Sequence, residues 1–193
     1  MGGGRIQFEY VITNLVYRRF SRPIAKFLMN FDVSPNAVTY LSFIIGIISA
    51  VLIGFGRIYA GVALLFISQI FDCVDGDLAR MSGKVTRYGA FIDRVFDRFV
   101  DAALITAIVA LNPEKLWLAG FAALTFSFGV SISRAMAEAE GAECKVGIAG
   151  RDTRIVLIMI GILLGYYLET LAIIGVLSFV TTIHRIIHTV RQF

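Results

Sequence analysis

Long apolar blocks separated by short polar stretches follow one another along most of this chain. Residues 37–55, for example, contain no charged side chain. A bilayer core is roughly 30 Å thick and a helix rises about 1.5 Å per residue, so a block of this length can cross it. We therefore expect an all-α integral membrane protein. The blocks predict six transmembrane helices, at residues 37–56, 59–80, 88–111, 115–137, 152–167 and 170–190.

Polar residues and proline predict where these helices begin and end. Asn36, behind a Ser-Pro pair, is the expected cap of the first span, and Asn112-Pro113 should break the chain between the third and fourth. Residues 155–183 would be about 43 Å long as a single helix, too long for one crossing. We therefore expect a hairpin that turns at Leu168–Glu169.

The segment before the first span is amphipathic, with basic residues among Leu, Phe and Ile. Residues 9–29 predict a helix along the membrane surface rather than a cleaved signal peptide, and a flexible basic tail is the alternative. The expected organisation is a cytoplasmic or interfacial amphipathic segment at 1–33, followed by a six-helix transmembrane catalytic domain at 34–193.

Composition and charge agree with this membrane prediction. Of the 193 residues, 58% are hydrophobic and 17% charged, too few charges to cover a soluble domain. Of the 18 Lys and Arg residues, only Arg57 and Lys115 fall in the predicted outer loops. This asymmetry places both termini in the cytoplasm, predicts a multi-pass protein of the cell membrane, and accounts for the net charge of +4 without nucleic-acid binding. Two cysteines form no disulfide framework.

Four aspartates stand on the second and third predicted spans. Asp72 and Asp75 are spaced i, i+3, and Asp93 and Asp97 are spaced i, i+4, so each pair shares one helix face. The two helices run antiparallel, which places all four at a similar depth near the cytoplasmic side. Clustered carboxylates in a low dielectric need compensating positive charge. Oxygen-only ligands favour Mg²⁺, Mn²⁺ or Ca²⁺, and two ions sharing carboxylates is the preferred interpretation; a buried Asp–Arg network is the alternative.

Small residues accompany these aspartates. Gly76 follows Asp75, and Gly89 precedes Asp93 by four positions. Without side chains, both glycines would let a bulky ligand approach the backbone beside the metals. Close packing of helices through Gly76, Ala79 and Gly89 is the alternative.

This stretch resembles the CDP-alcohol phosphotransferase family (class I CDP-alcohol phosphatidyltransferases), whose signature is D-x2-D-G-x2-A-R-x8-G-x3-D-x3-D. The matching residues are Asp72, Asp75, Gly76, Ala79, Arg80, Gly89, Asp93 and Asp97. The resemblance implies a homodimer with a catalytic cleft open to the cytoplasm. It also implies transfer of a phospho-alcohol from a CDP-alcohol to a second alcohol, with release of CMP.

The resemblance further implies a role for each signature residue. Four aspartates would bind Mg²⁺ or Mn²⁺, two ions in all: Asp72, Asp75, Asp93 and Asp97. Asp97 would also be the catalytic base that takes the proton of the acceptor hydroxyl. The nucleotide would contact Asp72, Gly76, Ala79, Arg80 and Gly89. Outside the signature, Asp77 is expected to be solvated and Asp101 to be a structural partner.

A second basic cluster, Lys145, Arg151 and Arg154, surrounds the predicted start of the fifth span. Helix N-termini favour anions, and in the family basic residues here hold the phosphate of phosphorylated acceptors. The cluster is similar to that of the inositol-phosphate-using branch; contact with lipid headgroups is the alternative. His184 and His188, spaced i, i+4 on a basic helix end, are expected at the membrane interface rather than on a metal.

Several functions remain open at this point. The favoured reaction joins a CDP-lipid donor, such as CDP-diacylglycerol or CDP-archaeol, to inositol phosphate. A CDP-inositol donor that gives di-inositol phosphate phosphate is the alternative within the family. A divalent-cation or proton-coupled transporter is the alternative class, although its acidic residues would be spread along a path through the membrane.

Overall fold

A computed structural model describes residues 17–144 and 146–193, and within these ranges the chain is helical throughout, with no strand. Seven helices follow one another over the described residues: α1 Arg18–Met29, α2 Pro35–Gly54, α3 Ile58–Met81, α4 Arg87–Leu111, α5 Pro113–Ala139, α6 Arg151–Leu164 and α7 Tyr167–Val190. Six of them, α2 to α7, coincide within a few residues with the six predicted apolar blocks. The all-α class is confirmed.

Four of these helices are long and apolar enough to cross a membrane: α2, α3, α5 and α7. Helix α4 is long enough to cross a membrane, but its first four turns are rich in charged residues, among them Asp93 and Asp97 of the signature. Helix α6 has 14 residues and is therefore about 21 Å long, shorter than a bilayer core. The protein is thus a multi-pass membrane protein, and the count of six spans stays a prediction.

Helix boundaries at α2 and α5 follow from proline. Pro35 is the first residue of α2, where its missing N–H costs no hydrogen bond and its fixed φ suits the helix. Ser34 is therefore the N-cap, and the prediction that Asn36 caps this helix was wrong. At α5, the Asn112 side chain accepts a hydrogen bond from Lys115 N, immediately before Pro113. The predicted break at Asn112-Pro113 is confirmed.

The turn between α6 and α7 lies earlier than predicted. Gly165 has a φ of 76°, the left-handed conformation that glycine adopts most easily, and it ends α6. Gly165 N donates to Ile162 O, and Tyr166 N donates to Gly161 O. Leu168 and Glu169, the predicted turn, lie in the first turn of α7, where the Glu169 charge is favourable to the helix dipole.

The chain forms two compact units, one ending at Leu104 and the other comprising Ile105–Phe193. In the first unit, α1 and α2 both pack against α3. A core of Ala25, Val38, Val74 and Leu78 joins the three helices. Of the predicted interfacial segment 9–29, residues up to 16 lie outside the described part of the chain. The remainder forms α1, and the division of the chain at residue 33 stays a prediction.

In the second unit, α5 and α6 each pack against α7. Gly161 of α6 faces Thr170 of α7 so closely that a Cβ at position 161 would overlap the threonine side chain. The connection between α5 and α6, here called the α5–α6 loop, spans residues 140–150. Ala142 and Cys144 of this loop are buried against Ala137. The basic residues predicted to bind an acceptor belong to this unit.

Candidate active site

Helices α3 and α4 bring three of the four predicted metal ligands together. Asp72 of α3 and Asp93 and Asp97 of α4 each offer a carboxylate oxygen, and these atoms lie within 4.8 Å of one another. The i, i+4 spacing puts the two α4 aspartates on one face, which the antiparallel hairpin turns toward α3. All three side chains are partly buried. We call Asp72, Asp93 and Asp97 the three-carboxylate group.

The donor set of this group fits a hard divalent cation. All three donors are carboxylate oxygens, the ligands that Mg²⁺ and Mn²⁺ prefer. Three converging negative charges at this distance repel one another strongly where water is scarce. Arg98 offsets part of this charge, since its Nη2 lies 3.5 Å from Asp97 Oδ2. The all-oxygen donor set and the convergence of the three carboxylates suit a bound divalent cation.

Asp75, the fourth predicted ligand, lies next to this group but is not among its converging oxygens. It experiences the negative charges of Asp72 and Asp93. Its Oδ2 accepts a 2.6 Å hydrogen bond from Thr39 Oγ1 of α2, and both side chains are buried. Thr39 therefore orients the Asp75 carboxylate. Thr39 and Asp75 are 36 positions apart, so local sequence spacing does not indicate this contact.

The residues predicted to contact a nucleotide line the neighbouring surface of α3 and α4. A Cβ built on Gly89 would lie 2.8 Å from Asn36 Oδ1, so a larger residue there would displace Asn36. Gly89 N donates to Thr86 Oγ1 at the start of α4. Ala79 is partly buried, and the Arg80 side chain is 58% exposed. The C-terminal end of α3 and the N-terminal end of α4 thus combine small residues with the exposed Arg80 guanidinium.

Asp77 is buried, and the prediction that it is solvated was wrong. Only 7% of the Asp77 surface is exposed to solvent. Oδ2 accepts a 2.6 Å hydrogen bond from Ser21 Oγ of α1, and Oδ1 accepts one of 2.8 Å from Arg80 Nη2. Local sequence pattern does not indicate the contact between Ser21 and Asp77, because the two residues are 56 positions apart. Asp101 is also buried, and its predicted structural role stays a prediction.

In the second unit, two of the three predicted acceptor residues, Arg151 and Arg154, lie at the start of α6. Arg151 is the first residue of α6 and is partly buried. Arg154 is 2% exposed, and its Nη1 donates a 2.8 Å hydrogen bond to Ala149 O. Arg154 thus supports the end of the α5–α6 loop. Lys145 lies outside the described residues.

Arg185 of α7 belongs to the same local structure, although the sequence suggested a basic helix end at the membrane surface. It is 3% exposed, its Nε donates a 2.8 Å hydrogen bond to Val146 O, and its Nη1 donates to Val130 O. Thr181, one turn earlier, accepts a hydrogen bond from Ala149 N. Two buried arginines and a threonine therefore hold the α5–α6 loop. In the sequence, Arg185 stands beside His184 and near His188 and Arg191, so its burial was not indicated.

Comparison with known protein families identifies a match over most of the chain. The family model described as CDP-alcohol phosphatidyltransferase matches residues 32–187. An archaetidylinositol phosphate synthase of Methanothermobacter thermautotrophicus is 34% identical over 179 residues, covering 90% of this chain and 90% of that protein. A phosphatidylinositol phosphate synthase of Cutibacterium acnes is 35% identical over 153 residues, covering 76% of this chain and 73% of that protein.

Solved structures of one further protein are similar in fold. The Mycobacterium tuberculosis phosphatidylinositol phosphate synthase with CDP-DAG bound has a TM-score of 0.81 and 26% identity, covering 89% of this chain and 94% of that chain. The same enzyme in complex with manganese and citrate has a TM-score of 0.80 and 27% identity, with 88% of each chain covered. Both the three-carboxylate group and all eight signature positions lie inside the matched part of the chain.

Proposed function

Because the chain belongs to the CDP-alcohol phosphatidyltransferase family, we propose that it transfers a phospho-alcohol group from a CDP-lipid to inositol phosphate and releases CMP. The observation that carries this proposal is the three-carboxylate group, formed by residues of the eight-position signature. Two relatives that are similar over most of their length are named as synthases of inositol phosphate lipids. Membership of an enzyme family removes the transporter alternative.

The metal site of this proposal is built from carboxylates alone. Asp72, Asp93 and Asp97 would hold Mg²⁺ or Mn²⁺, two ions in all, and Asp75 would complete the ligand set from its place beside them. Such ions neutralise charge that develops on the phosphoryl oxygens and on departing CMP. The oxygen-only donor set supports the assignment, as does the similar enzyme solved with manganese.

Asp97 is proposed as the catalytic base. A carboxylate at this position would accept the proton of the acceptor hydroxyl as its oxygen attacks the β-phosphorus of the CDP-alcohol. The bond between that phosphorus and the oxygen that bridges to CMP breaks, and CMP leaves with the electron pair. Asp97 is only partly buried, so an acceptor can reach it, and Arg98 Nη2 lies 3.5 Å from its Oδ2.

The nucleotide would bind over the small residues of α3 and α4. Gly76, Ala79 and Gly89 are the small residues of the signature on these helices, and Arg80 lies over Gly76 while Asn36 lies against Gly89. The exposed Arg80 guanidinium offers several N–H donors to pyrophosphate oxygens. Asp72 would contact the nucleotide as well as the metal.

The acceptor phosphate would be bound by Lys145, Arg151 and Arg154. Arg151 opens α6, where the free N–H groups of the first turn and the helix dipole favour an anion. Arg154 and Arg185 donate hydrogen bonds to backbone carbonyls of the α5–α6 loop, which fixes the backbone just before this N-terminus. A phosphate group has the negative charge that a basic site attracts, whereas an uncharged alcohol lacks it.

The proposed topology has six spans, α2 to α7, with α4 and α6 added to the four long apolar helices. Both termini and the active site would then face the cytoplasm, since Arg57 and Lys115 are the only basic residues of the predicted outer loops. Helix α1 would lie in the membrane interface of the cell membrane, and the enzyme would be a homodimer. Cysteine labelling from either side of sealed vesicles tests the orientation.

A substrate panel tests the function directly. Purified enzyme with Mg²⁺ should release CMP from CDP-diacylglycerol or CDP-archaeol only when inositol phosphate is added, and the lipid product should contain inositol. CMP release from CDP-inositol with inositol phosphate, without a lipid product, would favour the di-inositol phosphate phosphate alternative. Release with glycerol phosphate or serine instead would refute the proposed acceptor.

A further inference from the structure

Asp77 has no position in the eight-residue signature, yet both of its carboxylate oxygens are hydrogen-bonded. It is 7% exposed and accepts two short hydrogen bonds, one to each oxygen, from Ser21 and Arg80. Ser21 is fully buried between α1 and α3. Asp77 also experiences the positive charge of Arg18 from α1. A buried carboxylate with both oxygens bonded has little freedom to move.

Arg80, the partner of Asp77, would have many accessible side-chain rotamers without this bond. Its side chain is 58% exposed and therefore gains little from packing. A free arginine loses considerable rotamer entropy when it binds a ligand, and that loss weakens binding. The 2.8 Å bond from Arg80 Nη2 to Asp77 Oδ1 removes much of that freedom beforehand.

The held guanidinium lies across a specific part of the signature. A Cβ built on Gly76 would lie 3.2 Å from both Nη1 and Nη2 of Arg80. The guanidinium is therefore next to the backbone of Gly76, directly after Asp75. Asp77 accepts a hydrogen bond from only one nitrogen of the Arg80 guanidinium, Nη2. The other N–H groups of this exposed side chain can donate to a ligand.

We propose that Asp77 is a positioning residue that holds the Arg80 guanidinium over Gly76 for the pyrophosphate of the nucleotide, and that Ser21 fixes Asp77 from α1. This inference rests on the proposed function, because it requires Arg80 to bind the nucleotide. The Arg80 half of this i, i+3 ion pair is exposed, so the bond with Asp77 acts mainly on the geometry of the guanidinium. Helix α1 thereby supports the active site as well as packing against α3.

A double-mutant cycle tests this role, with the affinity for CMP in the presence of Mg²⁺ and the steady-state constants as readouts. Asp77→Asn should weaken CMP binding and raise KM for the CDP-alcohol by about fivefold, with kcat nearly unchanged, because a charge-assisted bond is lost outside the reacting atoms. Arg80→Gln should weaken CMP binding at least as much. In the Arg80→Gln background, Asp77→Asn should have no further effect. Asp77→Glu should recover part of the affinity.

The control is Glu138→Gln, which breaks another 2.8 Å ion pair, with Arg134 in α5, and should leave CMP affinity unchanged. Should Asp77→Asn fail to fold in detergent, Ser21→Ala gives the same test, with a smaller effect that also vanishes in the Arg80→Gln background. Equal losses from Asp77→Asn with and without Arg80 would overturn the positioning role alone. Normal CMP affinity in Arg80→Gln would instead overturn the nucleotide role of Arg80 in the proposed function.

Discussion

Replacing Thr39 by valine removes a hydroxyl that contacts Asp75 Oδ2 and, at 3.2 Å, Pro35 O of its own helix, and it changes little else. The Thr39 hydroxyl donates 2.6 Å to Asp75 Oδ2, and both residues are more than 90% buried. Valine has nearly the same shape as threonine, so no cavity forms and the helix packing is retained. The Asp75 carboxylate would lose the donor that orients it beside Asp72 and Asp93.

The expected magnitude follows from the type of bond. A hydrogen bond to a charged group contributes about 1.5–3 kcal/mol. If that free energy is used to hold Asp75 in position for metal binding, its loss corresponds to roughly a 10- to 150-fold change in affinity at about 1.4 kcal/mol per factor of ten. Loss of an outer-shell partner typically weakens a metal site by about 10–100-fold, which is the same range.

The assay is a Mg²⁺ titration of CMP release at saturating substrates. Thr39→Val should raise the half-saturating Mg²⁺ concentration about tenfold or more, whereas Thr39→Ser retains the hydroxyl and should remain close to the wild type. Thermal melting in detergent shows whether both variants are folded. A normal Mg²⁺ requirement in a folded Thr39→Val would refute the claim that Asp75 is a metal ligand positioned by Thr39.

Three further outcomes are expected. Excess chelator should abolish CMP release and added Mg²⁺ or Mn²⁺ should restore it; full turnover in chelator would contradict the metal site. Asp97→Asn should nearly abolish turnover while some CMP binding remains, and a near-normal rate would exclude its role as the base. Arg151→Ala should raise the acceptor KM at least about tenfold with the donor KM unchanged, since a charge-assisted bond to phosphate is lost. Arg154→Ala should in addition lower the melting temperature, because Arg154 supports the α5–α6 loop; an unchanged acceptor KM in both arginine variants would favour an uncharged acceptor.

Local pattern was sufficient for the helices and for the nature of the site. Apolar block length predicted α2 to α7 within a few residues, because a helix in lipid must satisfy its own backbone hydrogen bonds and present apolar side chains over its full length. The i, i+4 spacing of Asp93 and Asp97 placed both on one face, and the antiparallel hairpin then brought Asp72 to them. Three such carboxylates favour a hard divalent cation, which stays a prediction for this chain.

Contacts between distant segments were decided only by the tertiary structure. Nothing near Asp77 in the sequence indicates that Ser21, 56 positions earlier, would bury it. Arg185 resembles any basic residue at a helix end, yet packing of α7 against α5 and the α5–α6 loop encloses it and directs its donors to backbone carbonyls. The turn at Gly165 depended on which residue adopted a positive φ, a choice between neighbouring positions that apolar pattern does not distinguish. Hydrophobic periodicity reports which face of a helix is buried, but the partner of each buried polar group depends on which helices meet there.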